Sequence, residues 1–258
     1  MATFLAQKNK HPKDDDILLD EATHIYTING QSGRHTSVTR WIHNLFPSFD
    51  ADAIIDKMMA SKKWAHSKYF GKTKEEIKAL WSENGNKASK AGTKLHEDIE
   101  YFWNGTPRKN DSVEYTYFKQ FCEKHKDLTP WRTEMMVYHD EWGFAGSIDM
   151  IFENPDGSLQ IYDWKRCKEI RKSNMFECAT EECIAHLPNA NYWHYALQLN
   201  TYKAIIEDKY GKKVTDMYLV CLHPSQKSFI KIKVPYLQSE MKDLLALRVQ
   251  KLNQCARM

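Results

Sequence analysis

The chain has 258 residues, 42% hydrophobic and 28% charged, with a formal net charge of +3 and a pI near 8.4. The composition is that of a globular chain, and the length suits one elaborated domain or two small ones. No run of about 18 apolar residues occurs, which excludes a membrane-spanning helix, and the slight positive balance permits a polyanionic partner without demanding one.

The opening stretch, MATFLAQKNKHPKDDD, has no sustained apolar core and turns acidic by Asp14. It reads as neither a signal peptide nor an Arg-rich transit peptide, so an intracellular setting, cytoplasm or nucleus, is expected. Residues 17–29, ILLDEATHIYTIN, read as a short hairpin turning near Asp20–Ala22. TSVTRWIHNLF (36–46) has helical apolar spacing after a Ser/Thr start, and DADAIIDKMMASKKW (50–64) is a second helix behind an Asp cap. A third begins at Thr73, where TKEE forms a capping box with Thr73 as N-cap and Glu76 three residues on. It is predicted to break near Gly85. A further helix covers Lys87 to Trp103 and stops at NGTP, and SVEYTYFKQFCEKHKD (112–127) is another.

After Pro130 the apolar period changes from 3.6 to 2. WRTEMMVYHD (131–140), FAGSIDMIFE (144–153) and SLQIYDWKR (158–166) read as strands, the last two joined by the turn NPDG. A charged linker leads to a long helix, NYWHYALQLNTYKAIIEDKYG (191–211), stopped by Gly211. DMYLVCLHP (216–224) and SFIKIKVPY (228–236) are an antiparallel pair, and LQSEMKDLLALRVQKLNQ (237–254) closes the chain. This order predicts an α/β fold: a mixed central sheet flanked by helices. The six cysteines are scattered and none forms a C-x-x-C pair, so they read as reduced thiols rather than a zinc ribbon.

Three residues of the 144–166 hairpin carry the chemistry. Asp163 and Lys165, two apart on a strand, share a face, and a strand pairing across NPDG brings Asp149 toward Asp163. Two close carboxylates repel unless a cation joins them. A hard divalent ion with oxygen ligands, Mg²⁺ or Mn²⁺, suits that place, with the backbone carbonyl of Trp164 as a further ligand. Lys165 would then orient a water or stabilise charge on a phosphate in transit. In an arbitrary hairpin the same residues would simply be exposed acids with a lysine partner.

The flanking motifs change that balance. GSID followed by IYDWKR resembles the core of the PD-(D/E)XK nuclease superfamily. GTKLHEDIE (92–100) resembles the helix that brings a histidine to the metal in RecB-type and lambda-exonuclease-like members, here His96. QLNTY (198–202) resembles their Gln-x-x-x-Tyr signature, here Gln198 and Tyr202. The style is similar to that of the mitochondrial genome maintenance exonuclease group. The resemblance covers roughly residues 90 to 205. It implies a restriction-endonuclease-like fold, with residues 1–86 as an N-terminal hairpin and helical elaboration and 87–258 as the nuclease core. It implies catalytic Asp149, Asp163 and Lys165, and a metal held by His96, Asp149, Asp163 and the Trp164 carbonyl. Gln198 and Tyr202, at i and i+4 on one helix face, would orient Lys165 or touch a phosphate. Glu134 would be a further acid near the metal, and histidine ligation tilts preference toward Mn²⁺. Glu100, on one helix face with His96, fits an outer-shell group or a surface acid. Related nucleases with an iron–sulfur cluster carry a late cysteine triplet. This chain has only Cys221 and Cys255 there, so no cluster is expected.

KRCKEIRK (165–172) sets Arg166, Lys168, Arg171 and Lys172 beside the hairpin, where they would grip phosphates without reading sequence. Trp64, Tyr69, Trp81 and the NYWHY segment supply rings for unpaired bases, although most aromatic side chains serve cores. The expected function is a metal-dependent deoxyribonuclease, an exonuclease or an end- or flap-processing enzyme preferring single-stranded DNA and indifferent to sequence. An RNA endonuclease with the same core, a non-catalytic nucleic-acid-binding module and, more distantly, a glycosidase using Asp149 and Asp163 are the alternatives.

Overall fold

The computed structural model describes residues 3–255; the outermost residues of the two expected segments, 1–2 and 256–258, lie outside the described residues. The elements in chain order are α1 (Phe4–Lys8), β1 (Ile17–Asp20), β2 (Ile25–Ile28), β3 (Gln31–Ser32), β4 (Thr36–Ser37), α2 (Val38–His43), α3 (Ala51–Met59), α4 (Lys74–Trp103) and α5 (Val113–Lys124). There follow β5 (Thr129–His139), β6 (Phe144–Glu153), β7 (Leu159–Lys165), α6 (Asn191–Lys209), β8 (Val214–Cys221), β9 (Ile230–Lys233) and α7 (Gln238–Cys255).

β1, β2 and β3 form a small antiparallel sheet. The main sheet has six strands and β6 is its axis. β5 runs antiparallel along one edge of β6, from Thr129 opposite Glu153 to His139 opposite Phe144. The other edge is shared: β4 pairs in parallel with Phe144 and Ala145, and β7 pairs antiparallel with Met150 to Glu153. Residues 146–149 lie between those two partners, so the sheet opens there. β7 then pairs in parallel with β8, and β8 antiparallel with β9. Parallel neighbours need a long crossover, which α6 supplies. The mixed sheet flanked by helices agrees with the restriction-endonuclease-like arrangement expected.

Apolar side chains cover both faces. Ile148, Ile151, Ile161 and Leu219 pack under α2, α6 and α7. Met150, Phe152, Tyr162, Trp164 and Val220 pack under α5 and the end of α4. The phase of β6 changes across Asp149: Phe144 and Ile148 belong to the first face, Met150 and Phe152 to the second. Its partner on β5 is irregular at the same level. Glu134, between the registered pairs Thr133–Met150 and Met135–Ile148, has φ of 41°. A non-glycine residue in this left-handed region is strained, and such residues cluster at functional sites.

The structure corrects the helix break expected near Gly85. α4 is one unbroken 30-residue helix, about 45 Å long at 1.5 Å per residue. The predicted capping box opens it: Thr73 Oγ1 accepts from the Glu76 amide at 3.2 Å and Glu76 returns the bond to the Thr73 amide at 2.8 Å. Its two ends are packed, by Ile77 at one and by Leu95, Asp98 and Ile99 at the other, while residues 82–90 are exposed. A glycine inside a helix costs about 1 kcal/mol relative to alanine, too little to end a helix anchored at both ends. The proposed junction at 86/87 thus falls within this helix. No element was predicted before residue 17. There α1 and a short turn of Pro12–Asp15 lie on β5, and the buried Arg132 binds Asp14 at 2.7 Å.

Candidate active site

The opening in the sheet is where the predicted side chains gather. Trp164 is the hub. Its indole is 1% exposed and is wedged edge-on between Phe118 and Phe121 of α5, with ring centroids 5.5 and 5.3 Å away. That anchor fixes the end of β7, so the Trp164 main chain faces the opening in one orientation. Its amide donates to Asp149 Oδ2 at 2.9 Å. Its carbonyl accepts from His96 Nε2 at 2.8 Å. The carbonyl predicted as a metal ligand is thus engaged by the histidine, which fixes the ring with Nε2 protonated and turns Nδ1 toward the acids.

His96 Nδ1 stands 3.5 Å from Asp149 and 3.8 Å from Glu134. One ligand atom from each of His96, Glu134 and Asp149 lies within 4.8 Å of the others, close enough to hold a metal ion. Ser147 donates to Glu134 Oε2 at 3.0 Å, which helps to hold the strained residue. Burial alone would lower the His96 pKa, but the Asp149 and Glu134 carboxylates outweigh it and raise it to about 9. Burial raises Asp149, against the pull of His96.

Asp163 lies outside this trio and is joined to Lys165, whose ammonium is 2.7 Å from Oδ2. Burial brings the Asp163 carboxyl up to about 6, with Lys165 opposing and Asp149 reinforcing the rise. Lys165 goes the other way from a simple buried lysine. Burial would lower it, and Asp163 and Asp149 instead raise it above its ordinary value. It stays an ammonium, which suits charge stabilisation and not proton abstraction.

Gln198 and Tyr202 share a face of α6, and the Gln198 amide donates to the Tyr202 hydroxyl at 3.4 Å. The buried Tyr202 ring presses on Gly146. A Cβ there would lie 2.6 Å from Cε1 and 2.7 Å from the hydroxyl oxygen. The glycine of GSID therefore exists to let this tyrosine into the gap of the sheet. Glu100, one helical turn beyond His96, has its carboxyl pushed up to about 7 by burial, then by the charges of Glu134, Glu97 and Glu21. Of the basic run, Arg166 is half-buried and donates to Glu114 at 2.6 Å. Lys168, Arg171 and Lys172 are exposed; Arg171 pairs with Glu169 at 2.8 Å, and the Lys172 ammonium lies 4.5 Å from the centroid of Tyr192.

Sequence reasoning missed two neighbours. The ring of Tyr195 lies under Lys165, with Nζ 4.5 Å from its centroid, and Glu114 clamps Arg166. Tyr195 is three residues before Gln198 and so on nearly the same helix face, a spacing that could have pointed to it.

No family model matches this chain, and neither does any curated protein. Among solved structures it is similar to the protein SSO0001, at 13% identity and a TM-score of 0.36, over 86% of this chain and 78% of that one. It is also similar to a protein of Eubacterium rectale that carries the provisional name of exonuclease, at 10% identity and a TM-score of 0.30, over 61% of this chain and 71% of that one. Likenesses of that size carry no argument about activity, which rests on the residues themselves.

Proposed function

We propose that this chain is a divalent-metal-dependent nuclease of the PD-(D/E)XK type that hydrolyses phosphodiester bonds in DNA, acting at ends or flaps and preferring single strands. The observation that carries the reading is the convergence of His96, Glu134 and Asp149 within 4.8 Å, beside a Lys165–Asp163 ion pair of 2.7 Å.

The donor set fits a cation. Two carboxylates and an imidazole converge, Asp149 is mostly buried, with a side chain 13% exposed, and like-charged with Glu134, and such a cluster favours a positive guest. His96 Nδ1, Glu134 and Asp149 would hold the ion, and oxygen-rich ligation with one nitrogen suits Mg²⁺ or Mn²⁺. When bound, it would supply Lewis-acid polarisation of the phosphate and a water of lowered pKa. Lys165, held between Asp163 and the Tyr195 face, presents a fixed positive charge to the non-bridging oxygens as the phosphorus becomes five-coordinate. Asp163 orients that ammonium, and the Trp164 carbonyl orients His96. Tyr202 and Gln198 brace the wall of the opening, and Glu100 stands behind Glu134 as an outer acid.

Residues 57–94 contain ten lysines against three acids, with Trp64, Tyr69 and Trp81 among them. That excess suits contact with phosphates and unpaired bases independent of sequence, and Lys168, Arg171 and Lys172 extend it beside the site. α3 and the exposed stretch of α4 would then act as a substrate-holding arm beside the core. Among the described residues no helix is long and apolar enough to cross a membrane.

The test is a time course on 5′- and 3′-labelled single- and double-stranded DNA, with RNA in parallel, in Mg²⁺ and in Mn²⁺. The proposal expects metal-dependent cutting of single-stranded DNA that EDTA stops. Cutting that survives both EDTA and Asp163→Ala would reject it.

A further inference from the structure

Two cysteines stand at the exit of the site. Cys167 follows Lys165 by two residues, just past the end of β7, and Cys221 is the last residue of β8 and the register partner of Lys165. Their sulfurs are 3.5 Å apart, the one sulfur–sulfur contact among the described residues. Cys178 and Cys255 are exposed and Cys122 and Cys183 half-buried, none of them in such a contact.

The surroundings make the two thiols unequal. Gln226 points its amide at the Cys221 sulfur from 3.0 Å; the contact between the two thiols holds Cys221 below its usual range and, with burial, raises Cys167 above it, so Cys221 is the readier thiolate. Cys221 is 1% exposed, whereas Cys167 is half-buried and open to a small oxidant. A disulfide needs the sulfurs at about 2.05 Å, so closing the present gap takes a movement of about 1.5 Å, within reach of a chain end that has just left its strand.

We propose that Cys167 and Cys221 are a redox site that a peroxide converts to a disulfide, and that this closure switches down the adjoining active site. The stoichiometry is two thiols plus hydrogen peroxide giving one disulfide and two waters: a sulfur–sulfur bond forms, the oxygen–oxygen bond breaks, and the two thiol protons leave in water. The linkage draws Arg166 and Cys167 toward β8. Lys165, two residues before Cys167, is then pulled from its place between Asp163 and Tyr195, and a misplacement of about 1 Å can lower a rate about 100-fold. The effect on cutting rests on the nuclease reading; the thiol chemistry does not.

The full-length protein, treated with stoichiometric hydrogen peroxide or with dithiothreitol, is alkylated and mapped by peptide mass spectrometry, and DNA cutting is assayed in parallel. The site requires a cross-linked Cys167–Cys221 peptide that forms before any other cysteine is lost and disappears with dithiothreitol. Cutting should fall at least tenfold with the cross-link and return on reduction, and Cys167→Ser, a half-exposed change, should cut normally and ignore peroxide. Absence of the cross-link, or its loss having no effect on a protein that cuts when reduced, overturns the inference. If the reduced protein does not cut at all, the nuclease reading fails, and the peptide map still decides whether the redox site exists.

Discussion

Two clusters in this molecule have the same formula, a histidine and two carboxylates with ligand atoms within 4.8 Å, yet they are built to different ends. In the cluster of His139, Glu141 and Asp208, a cation is already present. The Lys209 ammonium lies 2.7 Å from Glu141 and 3.2 Å from Asp208. His139 donates from Nε2 to Asp208 at 3.0 Å, accepts the Trp142 amide at Nδ1 and stacks on that indole with centroids 3.5 Å apart. Lys209 accordingly holds both carboxyls below their ordinary values. Around His96, Glu134 and Asp149 the shift has the opposite sign: burial raises Asp149, and the nearby ammonium of Lys165 is committed to Asp163. One cluster is a network already neutralised by a lysine; the other is half-buried, and its internal counter-charge is the proton on His96, which a metal ion can displace. Composition and spacing alone do not separate a metal site from a salt-bridge network; whether the counter-charge is a lysine ammonium or a displaceable histidine proton does.

The sharpest way to break this contrast is to neutralise one member of each cluster. Asp149→Asn and Lys165→Ala should each lower DNA cutting by about 10²–10⁴-fold, whereas Asp208→Asn should leave it within about twofold, the usual weight of an exposed ion pair. Comparable losses from Asp149→Asn and Asp208→Asn would dissolve the distinction. A second contrast is structural. The site's wall depends on a glycine touching a tyrosine ring, with an added Cβ 2.6 Å from Tyr202. Gly146→Ala should therefore reduce unfolding stability by about 1–3 kcal/mol in a urea titration, and pairing it with Tyr202→Ala should recover part of that loss.

Proton competition distinguishes the clusters further. With its pKa near 9, His96 is protonated at neutral pH in the metal-free protein. A cation must displace that proton, so apparent Mn²⁺ affinity should climb from pH 6 to 9, by up to about tenfold per pH unit, and level off above. His96→Gln should flatten the rise. The same shift has a consequence for folding. Because the folded pKa exceeds the ordinary value of 6.5, the stability His96 contributes to the metal-free protein is present below pH 6.5 and is lost as pH rises through about 9. The smallest effect belongs to the surface network: Lys209→Ala should change stability by less than about 1 kcal/mol, read from the same urea curves.

Much of this was legible in the residues. Asp163 and Lys165 share a strand face, and Gln198 and Tyr202 a helix face, because periods of 2 and 3.6 survive folding. The strands from residue 131 onward, their succession along the chain and the capping box at Thr73 were readable for the same reason, whereas β4 fell within residues 36–46, read as helix. What periodicity does not encode is where it fails. The left-handed turn at Glu134 and the change of phase at Asp149 set the shape of the opening, and no residue type there announces them. α4 reads as two helices because Gly85 looks like a stop; the packing of Ile77 and Ile99 at its far ends overrides that local signal. The contacts of Tyr195 with Lys165, Glu114 with Arg166 and Cys167 with Cys221 arise from segments 30 to 54 residues apart in sequence, and single-sequence patterns carry no such pairing.

Calorimetric titration of Mn²⁺ into the wild-type chain, Asp149→Asn and His139→Ala tests the central claim most directly. The account predicts one site in the wild type, its loss in Asp149→Asn and its retention in His139→Ala. Undiminished binding by Asp149→Asn would contradict it.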